Sequence, residues 1–354
     1  RSRMSMPVKS SQIAKGCLGA VLVFPWINPI VFGPSPNVGV WLVSVLCLAM
    51  LCLCIGRLSV AMVASFWLLA AVLSVCMGVT QYFGWAHDLT PWVHATNVGE
   101  AFSNLRQRNQ YASLLSIGLL ALLWHLIRQQ KTITRPYRVG QIRWYFLLVG
   151  VLAFGAAISN SRTGMLQWCL VTAWISWRCT PGLRQVVQIS VAAMSLYVFF
   201  IWAAPSLLGW MGGAQYASVL NRLNESVGCS SRLTLWSNVL HLIAQKPWFG
   251  WGWGELDYGH FITLYPGERF CDILDNAHNL PLHLAVELGI PVAAAFCGMC
   301  VWLVWRNKPW AEKDPTRQMA WGVLAVIGLH SMLEYPLWYG PFQLAVVLCI
   351  WLLW

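Results

Sequence analysis

The feature that most constrains this chain is a series of long apolar segments separated by short polar loops. Each comes close to the length of about 20 apolar residues that an α-helix needs to cross a bilayer, although three of them are short. Only 10% of the residues are charged, which is too few to cover the surface of a soluble protein. The sequence predicts an all-α polytopic integral membrane protein with about ten to eleven transmembrane helices. The predicted spans are residues 16–33, 38–56, 58–80, 109–127, 144–160, 163–178, 185–204, 279–304, 319–337 and 341–354.

The lysines and arginines predict the orientation of these spans. With the N-terminus in the cytoplasm, 16 of the 23 basic residues fall on the cytoplasmic side and 7 on the outer side, as the positive-inside rule requires. The net charge of +11 therefore reflects topology, and we expect no nucleic-acid partner. The outer basic residues are Arg106, Arg108, Arg162, Arg222, Arg232, Lys246 and Arg269.

We find no repeats or linkers, so residues 1–354 are predicted to form a single integral domain. Its largest outer loop is expected at residues 205–278. Within this loop, apolar residues at helical spacing over 232–245 predict an amphipathic interfacial helix. Trp and Gly alternate in the following Trp248–Gly254 stretch, which could lie among lipid headgroups or stack on sugars. Because the chain stops at the end of a span, we expect a C-terminal region to be missing.

The segment Asp275-Asn276-Ala277-His278-Asn279 is the clearest candidate for an active site. His278 stands at the entry of a predicted span, where a neutral imidazole can serve as a general base, with Asp275 and Asn279 orienting it. The same residues also suit a helix N-cap, so a purely structural role stays open. Ionisable groups inside a membrane are often functional, but four of those inside the predicted spans are interpreted as helix-packing hydrogen-bond partners: His125, His283, Glu287 and His330.

Four outer arginines lie beside span ends, at the depth of lipid headgroups: Arg106, Arg108, Arg162 and Arg232. Guanidinium groups bind phosphate in a bidentate manner and stabilise charge on a leaving group. The alternative is ordinary pairing with the ten carboxylates that lie on or near the outer side. Two cysteines, Cys229 and Cys271, also fall in the outer loops, where an oxidising compartment would allow a disulfide between them.

Five stretches resemble the bacterial protein O-oligosaccharyltransferases, which are pilin glycosylation ligases of the O-antigen ligase superfamily. The more specific ones are the run Asn104-Leu105-Arg106-Gln107-Arg108-Asn109 and the segment around His278. The others are Ser161–Gly164, Ser231–Trp236 and Trp248–Gly254, and the resemblance extends from about residue 16 to the end.

The resemblance implies transfer of a preassembled glycan from undecaprenyl pyrophosphate to a hydroxyl of an acceptor protein such as pilin, on the periplasmic side of the inner membrane. It assigns catalytic roles to His278, Gln107 and Tyr335. It assigns donor pyrophosphate binding to Arg162 and Arg232, to which Arg106 and Arg108 are added as candidates. We expect no nucleotide, metal or other cofactor, because the donor is already activated.

Other functions remain open at this point. The same chemistry could transfer the glycan to a lipid A core, as an O-antigen ligase does, or extend a lipid-linked repeat, as a polymerase does. From a different class, a transporter could bind the same anionic lipid. A transporter is expected to have two related halves with polar groups at mid-membrane, whereas this sequence shows no such halves and its polar residues cluster at one face.

Overall fold

A computed structural model describes residues 8–30, 38–132, 139–178, 181–211, 229–272 and 274–354. These residues form α-helices joined by turns and short 3₁₀ segments, with no β-strand among them. The helices are α1 (Val8–Ile27), α2 (Val38–Leu53), α3 (Val60–Tyr82), α4 (Arg108–Thr132), α5 (Val139–Ile158), α6 (Arg162–Trp177), α7 (Arg184–Trp210), α8 (Arg232–Gln245), α9 (Leu256–Ile262), α10 (Leu280–Leu288), α11 (Ile290–Asn307), α12 (Pro315–Ser331) and α13 (Gly340–Leu353). The all-α prediction is confirmed.

Every predicted span overlaps helix among the described residues, although the 319–337 span is helical only as far as Ser331, and the helices differ in their capacity to cross a membrane. Among the described residues, four are long and apolar enough: Val60–Tyr82, Arg108–Gln130, Arg184–Trp210 and Ile290–Ala311. Shorter apolar helices occupy Lys15–Ile27, Trp41–Leu53, Arg143–Ile158 and Gly340–Leu353. An integral membrane protein follows from these spans, and the count of ten to eleven crossings stays a prediction.

One predicted span is wrong as a single helix. Residues 279–304 form two helices, α10 and α11, which are separated at Gly289. Gly289 has φ +90°, where a side chain is strained, and an added Cβ would lie 2.2 Å from the carbonyl oxygen of Trp248. Pro291 then stands in the first turn of α11, where a missing N–H costs nothing. Apolar periodicity alone does not reveal this break.

The chain divides into two compact units. The first comprises residues 1–222, 314–326 and 338–354, and it contains α1 to α7, α13 and most of α12. Helix α4 is largely buried inside it and packs against α3, α5 and α6. Buried polar side chains join α4 to α6, because Gln167 on α6 donates to Ser113 (2.8 Å) and accepts from Ser116 (2.8 Å).

The second unit comprises residues 223–313 and 327–337, and it carries α8 to α11. Its core is built from Leu235, Val239 and Leu242 of α8 together with Leu256 and Val286. Helix α8 covers the predicted range 232–245. Its apolar residues do not share one environment, because Leu233 and Leu240 are exposed while Ile243 is buried.

The largest predicted outer loop contains more helix than expected. Helix α7 continues through Pro205 to Trp210, and α8 and α9 follow further along. Residues 212–228 and 273 of that loop, including Arg222, lie outside the described residues.

A disulfide joins Cys229 to Cys271, with their Cα atoms 5.5 Å apart. The disulfide ties the chain just before α8 to the segment that leads into Asp275 and His278. In the chain-entropy model, closing a loop of about forty residues stabilises the folded state by roughly 3–4 kcal/mol.

We predict that Cys229→Ser lowers the free energy of unfolding by roughly 3–4 kcal/mol, because the open loop gains conformational entropy in the unfolded state. Thermal and denaturant unfolding in detergent would measure the change. Cys300→Ser, which removes a free exposed thiol, is the control and should change little. Alkylation of both cysteines in native protein without prior reduction would contradict the bridge.

Candidate active site

His278 lies in a short turn whose backbone is held in an unusual conformation. Its φ is +50°, in the left-handed region that a residue with a side chain rarely adopts. The Asn276 side chain fixes this turn by accepting the His278 backbone N–H at 2.9 Å. Asn279 follows as the N-cap of α10, where its Oδ1 accepts from Leu282 N at 3.1 Å. Local strain sustained by two flanking amides is typical of a functional position.

Glu334 is the partner of the His278 ring. Its Oε2 lies 2.6 Å from Nδ1 of His278. The Asn279 amide donates to the carbonyl of Met332 at 3.0 Å, which fastens the His278 turn to the chain beside Glu334. With a carboxylate at Nδ1, the neutral imidazole carries its proton there and leaves Nε2 as the acceptor. The His278 side chain remains 28% exposed, so a substrate can reach it.

The other oxygen of Glu334 binds Arg232. Nη2 of Arg232 lies 2.5 Å from Oε1, and Arg232 is the first residue of α8. Burial alone would raise the pKa of the Glu334 carboxyl. The hydrogen bond from His278, with the positive charges of His278 and Arg232, outweighs burial and holds this pKa below its usual range. Glu334 is therefore an anion at neutral pH, and it lies between the guanidinium of Arg232 and the imidazole of His278.

Tyr335 and Asp275 have different places around this centre. The Tyr335 ring packs edge-on against His278, with centroids 5.0 Å apart, so the structure brings these two predicted residues together. The Asp275 side chain is exposed, and the carboxylate on the His278 ring is that of Glu334. The orienting role predicted for Asp275 thus falls to Glu334, because the Asn276 turn directs the histidine toward the end of α12.

Within the first unit, two more of the sequence motifs meet. Ser161 caps α6 by accepting from Gly164 N, and it donates to Oδ1 of Asn109 at 2.7 Å. Gly164 makes this approach possible, since an added Cβ would lie 2.6 Å from the Ala112 methyl. Arg162 is the first residue of α6 and follows this cap directly.

The arginine-rich motif forms the start of α4. The Gln107 side chain accepts the backbone N–H of Gln110 at 2.7 Å, so it performs an N-cap function. Arg106 has φ +58°, and Arg108 lies 3.5 Å from Glu100 in a partly exposed ion pair. The predicted catalytic role of Gln107 and the phosphate-binding roles of Arg106, Arg108 and Arg162 stay predictions.

Sequence reasoning did not identify Glu334 as a functional residue. It stands 56 residues after His278, next to Tyr335, and belongs to no recognisable metal or catalytic spacing. The available signal was chemical, since a carboxylate inside a predicted span requires a cationic or hydrogen-bonding partner.

Three protein-family models match parts of the chain. An O-antigen ligase model matches residues 147–297, which include His278 and Arg232. A protein glycosylation ligase model matches residues 101–126, which include Gln107. A model for the C-terminal part of a virulence factor membrane-bound polymerase matches residues 318–354, which include Glu334 and Tyr335. The predicted resemblance is therefore confirmed.

Individual relatives agree with these models. A general O-oligosaccharyltransferase of Acinetobacter baylyi is 25% identical over 264 residues, covering 69% of this chain and 42% of the relative. A ComP-specific O-oligosaccharyltransferase of the same organism is 22% identical, covering 70% of this chain and 43% of the relative. An O-antigen ligase of Pseudomonas aeruginosa is 24% identical, covering 68% and 51%. The chain spans about half the length of the relatives it matches.

Proposed function

We propose that this protein is a glycosyltransferase that moves a preassembled glycan from undecaprenyl pyrophosphate to a serine or threonine hydroxyl of a periplasmic acceptor protein such as pilin. The observation that carries the proposal is the Arg232–Glu334–His278 chain, which combines a general base with a phosphate-binding group. The similarity to O-oligosaccharyltransferases supports the same reaction class.

His278 is the base in this proposal. Its Nε2 accepts the proton of the acceptor hydroxyl while that oxygen attacks the anomeric carbon of the donor sugar. The bond from the anomeric carbon to the pyrophosphate oxygen breaks, and undecaprenyl pyrophosphate leaves with the bonding electrons. The positive imidazolium that forms is stabilised by Glu334, 2.6 Å from Nδ1.

Arg232 binds the departing pyrophosphate. Its guanidinium carries five N–H donors, so donors remain available after one nitrogen has engaged Glu334. Arg232 also opens α8, a helix of 14 residues whose N-terminus favours a negative charge. The guanidinium and the helix end together would stabilise charge developing on the leaving group.

Two kinds of acceptor are compatible with this chemistry, a protein and a lipid A core. An O-antigen ligase passes its glycan to a lipid A core, and one relative bears that name. We favour a protein acceptor because the protein glycosylation ligase model matches the arginine-rich motif. Co-expression with a lipid-linked glycan pathway and candidate pilins, followed by mass spectrometry of glycopeptides, separates the two.

His278→Ala is expected to lower glycopeptide yield by about 10²–10⁴-fold at matched expression, because the general base is lost. His241→Ala, which removes a histidine of the same unit that lies against Tyr265, is the matched control and should retain transfer. Near-normal transfer by the His278 variant in the same cells would refute its role.

Arg232→Lys is expected to impair binding of the donor and Arg232→Ala to impair it more, because lysine keeps the charge but loses the planar fork. Binding of an undecaprenyl pyrophosphate donor to purified protein in nanodiscs measures this, with exposed Arg306→Ala as control. His278→Ala should bind normally, which separates binding from chemistry. Unchanged affinity in both Arg232 variants would exclude the role.

A further inference from the structure

The Trp-Gly segment, residues 247–254, has exposed aromatic rings that the proposed transfer reaction does not use. Trp248 is 71% exposed, Phe249 is 89% exposed, and Trp253 is also largely exposed. Soluble surfaces rarely display adjacent large rings in this way, so such a patch marks an interaction site.

Backbone hydrogen bonds to α10 hold this segment in place and keep its rings exposed. Trp251 N donates to Val286 O at 2.8 Å, and Gly252 N donates to Glu287 O at 3.0 Å. Gly250 crosses so close to α10 that an added Cβ would lie 2.4 Å from the Glu287 carbonyl carbon. The segment is therefore fixed along the end of α10.

Side chains reinforce this attachment. Glu287, whose backbone carbonyl accepts from Gly252, has its carboxylate 3.4 Å from His283 in the same helix. Trp251 faces inward, where its indole donates to Leu242 O at 3.0 Å and Lys246 covers its ring. The ring of Trp253 packs edge-on against His283, with centroids 6.2 Å apart, and the inward Trp251 anchors the segment, while Trp248 and Phe249 remain exposed.

A backbone hydrogen bond links the segment to the start of a candidate membrane span. Ile290 N, in the first turn of α11, donates to Pro247 O at 2.8 Å. Ile290–Ala311 is one of the candidate spans, and the described residues bury almost none of it, as expected of a helix that faces lipid. Since a span begins at the edge of the hydrocarbon layer, the backbone bonded to its first turn lies at that edge.

We infer that the rings of Trp248 and Phe249 insert into the lipid headgroup and acyl boundary and fix the second unit at that depth. Tryptophan is enriched at this boundary because its ring is apolar and its N–H requires a polar partner. Helix α9 packs on Trp251 through Gly259 and adds exposed apolar side chains, Phe261 and Ile262, next to the segment.

The test is photo-crosslinking of the full chain in nanodiscs of phosphatidylethanolamine and phosphatidylglycerol. A benzophenone amino acid replaces Phe249 in one variant. Two reference variants carry the same probe, one in place of Trp302 on the exposed face of α11 as the lipid reference and one in place of exposed Asp272 as the aqueous reference. We expect lipid adducts at position 249 at a yield close to that at 302 and at least about fivefold above that at 272.

Two results would overturn the inference. One is an adduct yield at position 249 no higher than at position 272, which would place the ring in water. The other is crosslinking in intact cells to a protein instead of to lipid, which would make the segment a protein-docking surface.

Discussion

The geometry of the candidate site in the second unit depends on the pairing of the buried Glu334 carboxylate. An isolated buried anion is strongly unfavourable, so the fold must supply partners of opposite charge or good hydrogen-bond donors. It supplies two, with His278 on one oxygen and Arg232 on the other. One charge thereby sets the direction of the imidazole and the position of the guanidinium, and removing it would release both.

The surrounding structure is built to hold this arrangement. Asn276 stabilises the left-handed backbone of His278, and Asn279 caps α10 while its amide fastens the turn beside Glu334. The Cys229–Cys271 disulfide connects the start of α8, where Arg232 lies, to the chain that enters the His278 turn. The proposed general base requires such preorganisation, since misplacement of a base by about 1 Å lowers the rate severely.

Much of the helical framework could be predicted from the sequence, because long apolar runs leave the backbone few alternatives in a bilayer. The range of α8 and the place of His278 at the start of α10 followed from local pattern alone. The break at Gly289 did not, because it depends on the close approach of the Trp248 carbonyl, which no periodicity encodes. The role of Glu334 was missed for the same reason: the pair with His278 joins residues 56 positions apart, and local spacing pointed to Asp275 instead.

The most direct test of the account is the tautomer of His278, measured by ¹⁵N NMR on histidine-labelled protein and assigned by difference from His278→Gln. We predict that the neutral ring carries its proton on Nδ1, with Nε2 unprotonated and able to act as the base, and that Glu334→Gln weakens this preference. A neutral ring protonated on Nε2 in the wild-type protein would contradict the account, because that nitrogen could not accept a proton from the acceptor hydroxyl.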